Sequence, residues 1–314
     1  MRLDTTEASD LHAKRQQTVE AAKVHRSSFK DPSYFESRSC PVCNSENNSM
    51  VLESDGGKYV RCHKCKMIFL NPVLSDTYLN LYYSTNHADQ ALAHASEKDF
   101  YDKIYSLGFE NCKKLANIDS VLDIGCSDGA FISIVKSKSA VDVTGVEPSI
   151  QAINSSDLSA RENIHHTTLE SFQNKFGFNI VTCFQTIEHV NDLNGLVVKS
   201  KELLLDEGHL VFVCHDRLSL VNRILGERSP IFDIEHLQIL NKKGVQLLLQ
   251  LNGFVDVQVN TISNKYPIAY WLLLAPIPKF LKTYIDRKRN KWYLSWGIRI
   301  RVGNLLATGR KPSE

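Results

Sequence analysis

Residues 120 to 138, SVLDIGCSDGAFISIVKSK, narrow the fold more than any other stretch of the chain. An apolar run ends at Ile124, a turn of small residues follows, and an amphipathic pattern opens near Asp128, which reads as a buried strand passing through a tight turn into a helix. Gly125 and Gly129 let the backbone pass close to a ligand, the helix N-terminus offers unpaired N–H groups, and Asp123 sets a carboxylate at the strand's end. A second strand, VDVTGVEPS, closes on Glu147, eighteen residues after Gly129. An acid at that separation can accept hydrogen bonds from both hydroxyls of a ribose, so the two strands, the helix and the acid make a nucleoside-binding half-fold.

Further apolar strands are read near 163 to 168 and in FNIVTCF, GHLVFVCHD, GFVDVQVNTI and GNLLATGRK, alternating with helical patterns over 192 to 204 and 242 to 252. The alternation predicts an α/β fold with a doubly wound, mostly parallel sheet of seven strands. The 314 residues, 43% of them hydrophobic, exceed what one such sheet needs, and the expected division is a polar arm over 1–37, a metal module over 38–72, a helical connector or cap over 73–117 and the sheet domain over 118–314. The arm carries a weak helical pattern from Glu7 to Lys23.

The metal module rests on Cys40 and Cys43 in CPVC and Cys62 and Cys65 in CHKC, with eighteen residues between the pairs. This is zinc-ribbon spacing: each C-x2-C makes a knuckle, and two facing knuckles give the tetrahedral thiolate set that zinc prefers. Four thiolates leave no open coordination position, so the zinc is read as structural. It is expected to supply the folding free energy of a module with little core of its own, on the order of 10 to 16 kcal/mol. Cys112, Cys126, Cys183 and Cys214 lie in apolar surroundings and read as buried small hydrophobes. The N-terminal residues have scattered charges and no apolar segment, and the longest uncharged apolar run, YPIAYWLLLAPIP, has thirteen residues and three prolines. A secretory signal has a different pattern and a membrane span needs about 20 residues, so the chain is expected in the cytoplasm.

The segments VLDIGCSDGAF, GVEPS, CFQTIEHV and EHLQILNKKGVQLLLQLNGF, in this order, resemble class I S-adenosylmethionine-dependent methyltransferases. The ribbon followed by FLNP and the Tyr82–Tyr83 pair is similar to bacterial members with an N-terminal zinc ribbon, of polysaccharide and secondary-metabolite pathways. The resemblance covers about residues 38 to 260 and the final strand. It implies that Asp123, Gly125, Cys126, Ser127 and Gly129 form the turn under the methionine portion of the cofactor, that Glu147 binds the ribose hydroxyls, and that Pro148 is also among the cofactor-binding residues. It places Leu169 and Glu170 near the adenine and Gln185 beside the sulfonium. Ser127 departs from the family, which usually has Gly there. An acid-headed turn without a phosphate-gripping lysine suits a cationic sulfonium and would repel a pyrophosphate.

Methyl transfer to a hydroxyl needs a base near the methyl group. His236, in DIEHLQILN where the resemblance puts the wall of the acceptor pocket, is the first candidate; His189 in the EHV motif is the second, and His215 the third. Some methyltransferases hold a divalent ion with E-x-x-E-H, but Gln185 replaces the first acid here, so a metal-independent reaction is expected. The favoured acceptor is a hydroxyl of a saccharide, a lipid-linked glycan or a small metabolite. Residues 265–314 carry eleven Lys and Arg against two acids, 11 − 2 = +9, whereas 40–264 sum to 19 − 27 = −8. The insertion over 263–302 mixes aromatic, aliphatic and basic residues; contact with an anionic membrane through 266–301, a lid and a dimer contact are all open readings. RNA methylation using the ribbon and the basic tail is an alternative, weakened by the acidic central domain. A silent cofactor-binding or protein-interaction module is another.

Overall fold

The N-terminal pattern yields five short strands: β1 (Phe35–Glu36), β2 (Asn48–Ser54), β3 (Gly57–Cys62), β4 (Ile68–Leu70) and β5 (Val73–Leu74). β2, β3 and β4 form an antiparallel meander, and β1 pairs with β5. In β3 the exposed Lys58 and Arg61 are interleaved with the buried Tyr59 and Cys62, so one face of the meander turns inward. The computed structural model describes residues 32–54, 57–79, 98–115, 117–229, 231–233, 235–274, 277–289 and 291–313. The helical pattern over Glu7–Lys23 and the Tyr82–Tyr83 pair lie outside the described residues.

From there the chain follows the expected alternation: α1 (Lys98–Leu115), β6 (Ser120–Ile124), α2 (Ala130–Lys138), β7 (Asp142–Glu147), α3 (Ile150–Ser155), α4 (Leu158–Arg161), β8 (Ile164–His166) and β9 (Phe178–Phe184). Then come α5 (Leu193–Leu203), β10 (Leu204–His215), α6 (Leu220–Leu225), β11 (Gln238–Ile239), α7 (Lys242–Leu251), β12 (Val255–Pro267), α8 (Ile268–Leu274), α9 (Lys279–Lys288) and β13 (Gly297–Arg310). The helices end where their caps dictate. Asn241 accepts from the Gly244 N–H at the start of α7 and Ser149 from the Ala152 N–H at the start of α3.

Seven strands share one sheet in the order β12-β13-β10-β9-β6-β7-β8, and only β13 runs against its neighbours. This is the doubly wound, mostly parallel sheet expected, with the chain leaving β6 toward β7 on one side and returning to β9 on the other. Burial follows: β9 and the second half of β10, Leu210–Cys214, are buried almost throughout because helices cover both faces. Phe131 of α2 packs edge-on against Phe184 at 4.9 Å and near Tyr105 at 6.1 Å, which fixes α1 and α2 against the sheet.

Two features depart from the sequence reading. The ribbon meander takes a fourth strand from the sheet domain, because β11 pairs antiparallel with β4. Its inner side chains Cys40, Val42, Cys62, Met67 and Phe69 belong to the same buried cluster as Leu122, Val181 and Phe212, so the module shares a core where little core was expected. In the insertion expected over 263–302, β12 and β13 continue as a paired ladder to Pro267 and Gly297 before α8 and α9 intervene. Among the described residues no helix is long and apolar enough to cross a membrane.

Gly129 opens α2 at φ 72°, and a Cβ there would stand 2.9 Å from the Cβ of Ala160 and 3.1 Å from Ile164 Cδ1. Gly129→Ala combines left-handed backbone strain with a clash against α4 and β8. Urea unfolding should show a loss of about 2 kcal/mol or more.

Candidate functional site

Between β6 and β9 the strand order reverses, and in an open α/β sheet the crevice beyond the carboxyl ends at that point is where ligands bind. A cavity of about 430 Å³ opens there. Its floor is the ends of β6, β7, β9 and β10: Ile124, Gly125 and Ser127; Val146, Glu147 and Pro148; Phe184, Gln185 and Thr186; and His215. Tyr101 and Tyr105 of α1 form one wall, and His189, Glu235 and His236 another.

Glu147, at the end of β7, is 7% exposed. Its Oε2 accepts from the Ser127 N–H and its Oε1 from the Ser149 N–H, both at 2.9 Å. Burial raises its pKa above the usual carboxylate value, and the two N–H donors oppose the shift. Each oxygen keeps a second lone pair, so the carboxylate can still accept from a diol. Leu169 and Glu170 line the same end of the cavity. Ser127 and Gln185 both sit at positive φ, 50° and 56°; two non-glycine residues in the left-handed region beside one cavity mark a backbone held in place by its surroundings.

Three of the expected cofactor residues are not on the cavity wall. Asp123 is buried, and its Oδ1 accepts from the Thr182 hydroxyl at 2.7 Å. Burial pushes its carboxyl up to about 7, the Thr182 hydrogen bond opposes the shift, and the nearby Glu147 charge adds to it. Cys126 turns toward β7, where a Cβ on Gly145 would meet its Sγ at 2.5 Å. Gly129 faces α4. Gly125 alone of the two turn glycines lines the cavity, and a Cβ there would collide with Thr186 at 2.5 Å.

Three histidines gather at the cavity. The ring of His236 lies 5.0 Å from that of His189 and 5.1 Å from that of His215. His236 Nδ1 is 2.9 Å from the Ile231 carbonyl, which can only accept. In the neutral ring Nδ1 therefore carries the proton and Nε2 a lone pair. His215 Nδ1 is 3.1 Å from Asn304 Oδ1 on β13. Behind the rings Glu188, 1% exposed, accepts from the His215 N–H at 2.5 Å, and its carbonyl accepts from the Leu237 N–H at 2.8 Å.

The ribbon reaches this wall directly. The Tyr59 hydroxyl donates to the Asp233 carbonyl at 2.5 Å, with the His236 carbonyl at 3.2 Å. Arg38 donates to the carbonyls of Leu70, Asn191 and Leu237; burial lowers its guanidinium to about 10. Cys40, Cys43, Cys62 and Cys65 cluster with all four Sγ atoms within 4.8 Å of one another. The Cys40–Cys65 and Cys43–Cys62 separations are 3.4 and 3.6 Å. Zinc–sulfur bonds of about 2.3 Å in a tetrahedron put sulfurs about 3.8 Å apart, so the cluster fits that ion with small adjustments. The other four cysteines are buried.

A family model described as "Methyltransferase domain" matches residues 83–259. The chain belongs to this family. A stretch of 116 residues is 31% identical to the ubiquinone biosynthesis O-methyltransferase of Actinobacillus pleuropneumoniae serotype 7, covering 33% of this chain and 47% of that protein. The chain thus spans about half the length of the curated relative it matches. Another stretch of 93 residues is 34% identical to the aminoacyltransferase FemA of Staphylococcus aureus, covering 29% of this chain and 21% of that protein. Among solved structures, a SAM-dependent methyltransferase of Thermotoga maritima superposes with a TM-score of 0.50 at 16% identity, over 74% of this chain and 99% of that one; this likeness concerns the fold.

For this methyltransferase-family chain, sequence reasoning missed the Tyr101–Tyr105 wall and Asn304. The tyrosines stand at i and i+4 of α1 with rings 5.9 Å apart, a spacing that could have flagged a shared helix face. Asn304 has no local signal, because it meets His215 only through strand pairing.

Asp123 ionises at about 7 in the folded chain against an ordinary 3.8, so folding retains a proton that the unfolded chain gives up between those values. Its contribution falls as pH rises through that window and levels above 7. Asp123→Asn should remove this slope. Urea denaturation of wild type and variant, compared at about pH 5.5 and about pH 8, should differ in pH dependence by about 2 kcal/mol.

Proposed function

We propose that this chain transfers a methyl group from S-adenosylmethionine to a hydroxyl on a saccharide, a lipid-linked glycan or a small metabolite. The observation that carries the reading is His236: a ring whose Nδ1 is committed to a backbone carbonyl, whose Nε2 is basic, and which lines the cavity together with Glu147. Glu147 would take the ribose hydroxyls with its remaining lone pairs, Leu169 and Glu170 would lie near the adenine, and Gly125, Ser127 and Gln185 would border the methionine portion. Asp123 stands behind the turn, held there by the Thr182 hydroxyl. The bound cofactor supplies an electrophilic methyl group on a cationic sulfonium. Nε2 of His236 takes the proton of the acceptor hydroxyl, and the imidazolium so formed keeps its Nδ1–H bond to Ile231. His189 and His215 border that ring, and the tyrosine wall and apolar strand ends keep water from the reacting centre. With Gln185 where a metal-binding acid would stand, the proton transfer is assigned to histidine and not to a metal-bound group.

Mass spectrometry can follow the gain of one methyl group across nucleotide sugars, lipid-linked glycans and small phenols. With an acceptor in hand, His236→Ala should lower turnover by about 10² or more while calorimetric affinity for S-adenosylmethionine stays unchanged. Near-wild-type turnover would remove His236 from the mechanism, and undetectable cofactor binding by the wild-type chain would remove the transferase reading.

We also assign a structural zinc to the four cysteines and place the protein in the cytoplasm, a reducing compartment in which free thiolates persist. One zinc per chain is expected by elemental analysis, and Cys62→Ser should lose it. Because Tyr59 and Arg38 tie the ribbon to the His236 segment, removing the metal should depress turnover more than cofactor affinity. Equal loss of both would mean that the ribbon merely stabilises the fold.

A further inference from the structure

The hairpin that completes the sheet does not stop at the cavity. β13 pairs with β10 as far as Asn304, opposite His215 at the end of β10. Residues 297–303 and their partners in β12 therefore run on past the carboxyl edge of the sheet, on the side where the cavity lies. α8, α9 and the turn over 291–296 form the tip of that projection.

The tip exposes the residues that a core would normally bury. The turn is fastened to α8 by hydrogen bonds from the Ile268 N–H to the Trp296 carbonyl and from the Ala269 N–H to the Leu294 carbonyl, both 3.0 Å. In WYLSW it is Leu294 that is buried, while Trp292 and Trp296 are 77% and 69% exposed. Phe280 and Tyr284, at i and i+4 on α9, are 70% and 59% exposed. α6, packed against β13, leaves Leu220 and Ile224 63% and 65% exposed. Around these stand Lys282, Arg287, Lys288, Arg289 and Lys291, and the single acid among them, Asp286, is paired with Arg289 at 3.1 Å.

We propose that this tip seats on a bilayer containing anionic lipid. Tryptophan and tyrosine settle at the boundary between headgroups and acyl chains, leucine, isoleucine and phenylalanine enter the acyl region, and the lysines and arginines meet lipid phosphates. Over residues 279–291 six Lys and Arg stand against Asp286, 6 − 1 = +5, which aims the tip at an anionic plane, whereas Arg310 and Lys311 at the far end of β13 are paired with Glu207, Asp256 and Asp206. RNA would use the aromatic rings and the charge but would leave Leu220 and Ile224 in water, since aliphatic side chains offer bases no stacking plane. A second copy of the same face would bring like charge against like charge. Seated this way, the side of the cavity at His215, from which β13 runs on to the tip, faces the lipid, so an acceptor carrying a lipid tail can be presented without leaving the membrane. The docking stands independently of the methyl-transfer reading.

The test is co-sedimentation of the full chain with vesicles of phosphatidylcholine alone and of phosphatidylcholine with about one quarter phosphatidylglycerol, at low and high salt. Retention is expected on the anionic vesicles and should weaken with salt. Trp292→Ser combined with Trp296→Ser should reduce partitioning roughly tenfold while circular dichroism and S-adenosylmethionine affinity stay unchanged. The proposal is overturned if anionic vesicles fail to retain the wild-type chain, or if the double variant is retained equally well. It is overturned too if the tip instead gives a salt-sensitive RNA gel shift or a dimer that the double variant dissolves, without vesicle binding.

Discussion

The histidine-lined side of the cleft hangs on one short stretch of backbone, Asp233 to Ile239, which is gripped from both flanks. On the sheet side Glu188 accepts from Leu237, and the Gln238 amide donates to the carbonyls of Ile187 and Val190 at 2.6 and 2.7 Å. On the ribbon side Tyr59 and Arg38 donate to its carbonyls while β4 pairs with it as β11. Each hydrogen bond is worth only about 1 kcal/mol, but a buried carbonyl left unpaired costs more than the bond returns. The stretch consequently has one acceptable position. A buried guanidinium satisfied chiefly by main-chain carbonyls is a costly way to join two layers; what it secures is geometry, here the placement of the histidine at 236.

Electrostatics at the opposite end follow from the same economy of burial. Burial raises both carboxyls, Asp123 and Glu147; the Glu147 charge raises Asp123 further, while the two N–H donors and His166 pull Glu147 back down. A low-dielectric floor carrying that charge suits a positively charged ligand and disfavours a phosphate. The backbone amides that could have cradled a phosphate are partly spent, with Ser127 and Ser149 already donating to Glu147.

Much of this was legible in the residues. The first two strands and their turn could be read because burial on both faces makes a continuous apolar run and glycine marks the bend; the four cysteines could be read because ligand spacing is local. What escaped depended on partners distant in sequence. β11 has two residues, too few for any periodicity, and exists only because β4 lies beside it. The inward turn of Asp123 toward Thr182 depends on β9 being the neighbour of β6. Gly129 looked like a ligand-facing glycine, yet its missing Cβ makes room for Ala160. The ladder beyond Ile262 was hidden because SNKYP and GIRIR hold each other as strands without an apolar signal of their own. The clustering of the three histidines was foreshadowed by their positions after strand ends, but their mutual contact needed the folded loops.

The lone reversed strand has a consequence for how the molecule is made. β13 lies between β10 and β12, so during synthesis the outer edge of β10 emerges roughly a hundred residues before the strand that will cover it. An open, apolar strand edge invites pairing with other chains. The half-made sheet must therefore either wait with β10 unpaired or let β12 occupy its place for a time and then yield it. Whichever route is taken, the last ladder to form is also the one that delivers Asn304 to His215, so the cleft is finished only when the sheet is.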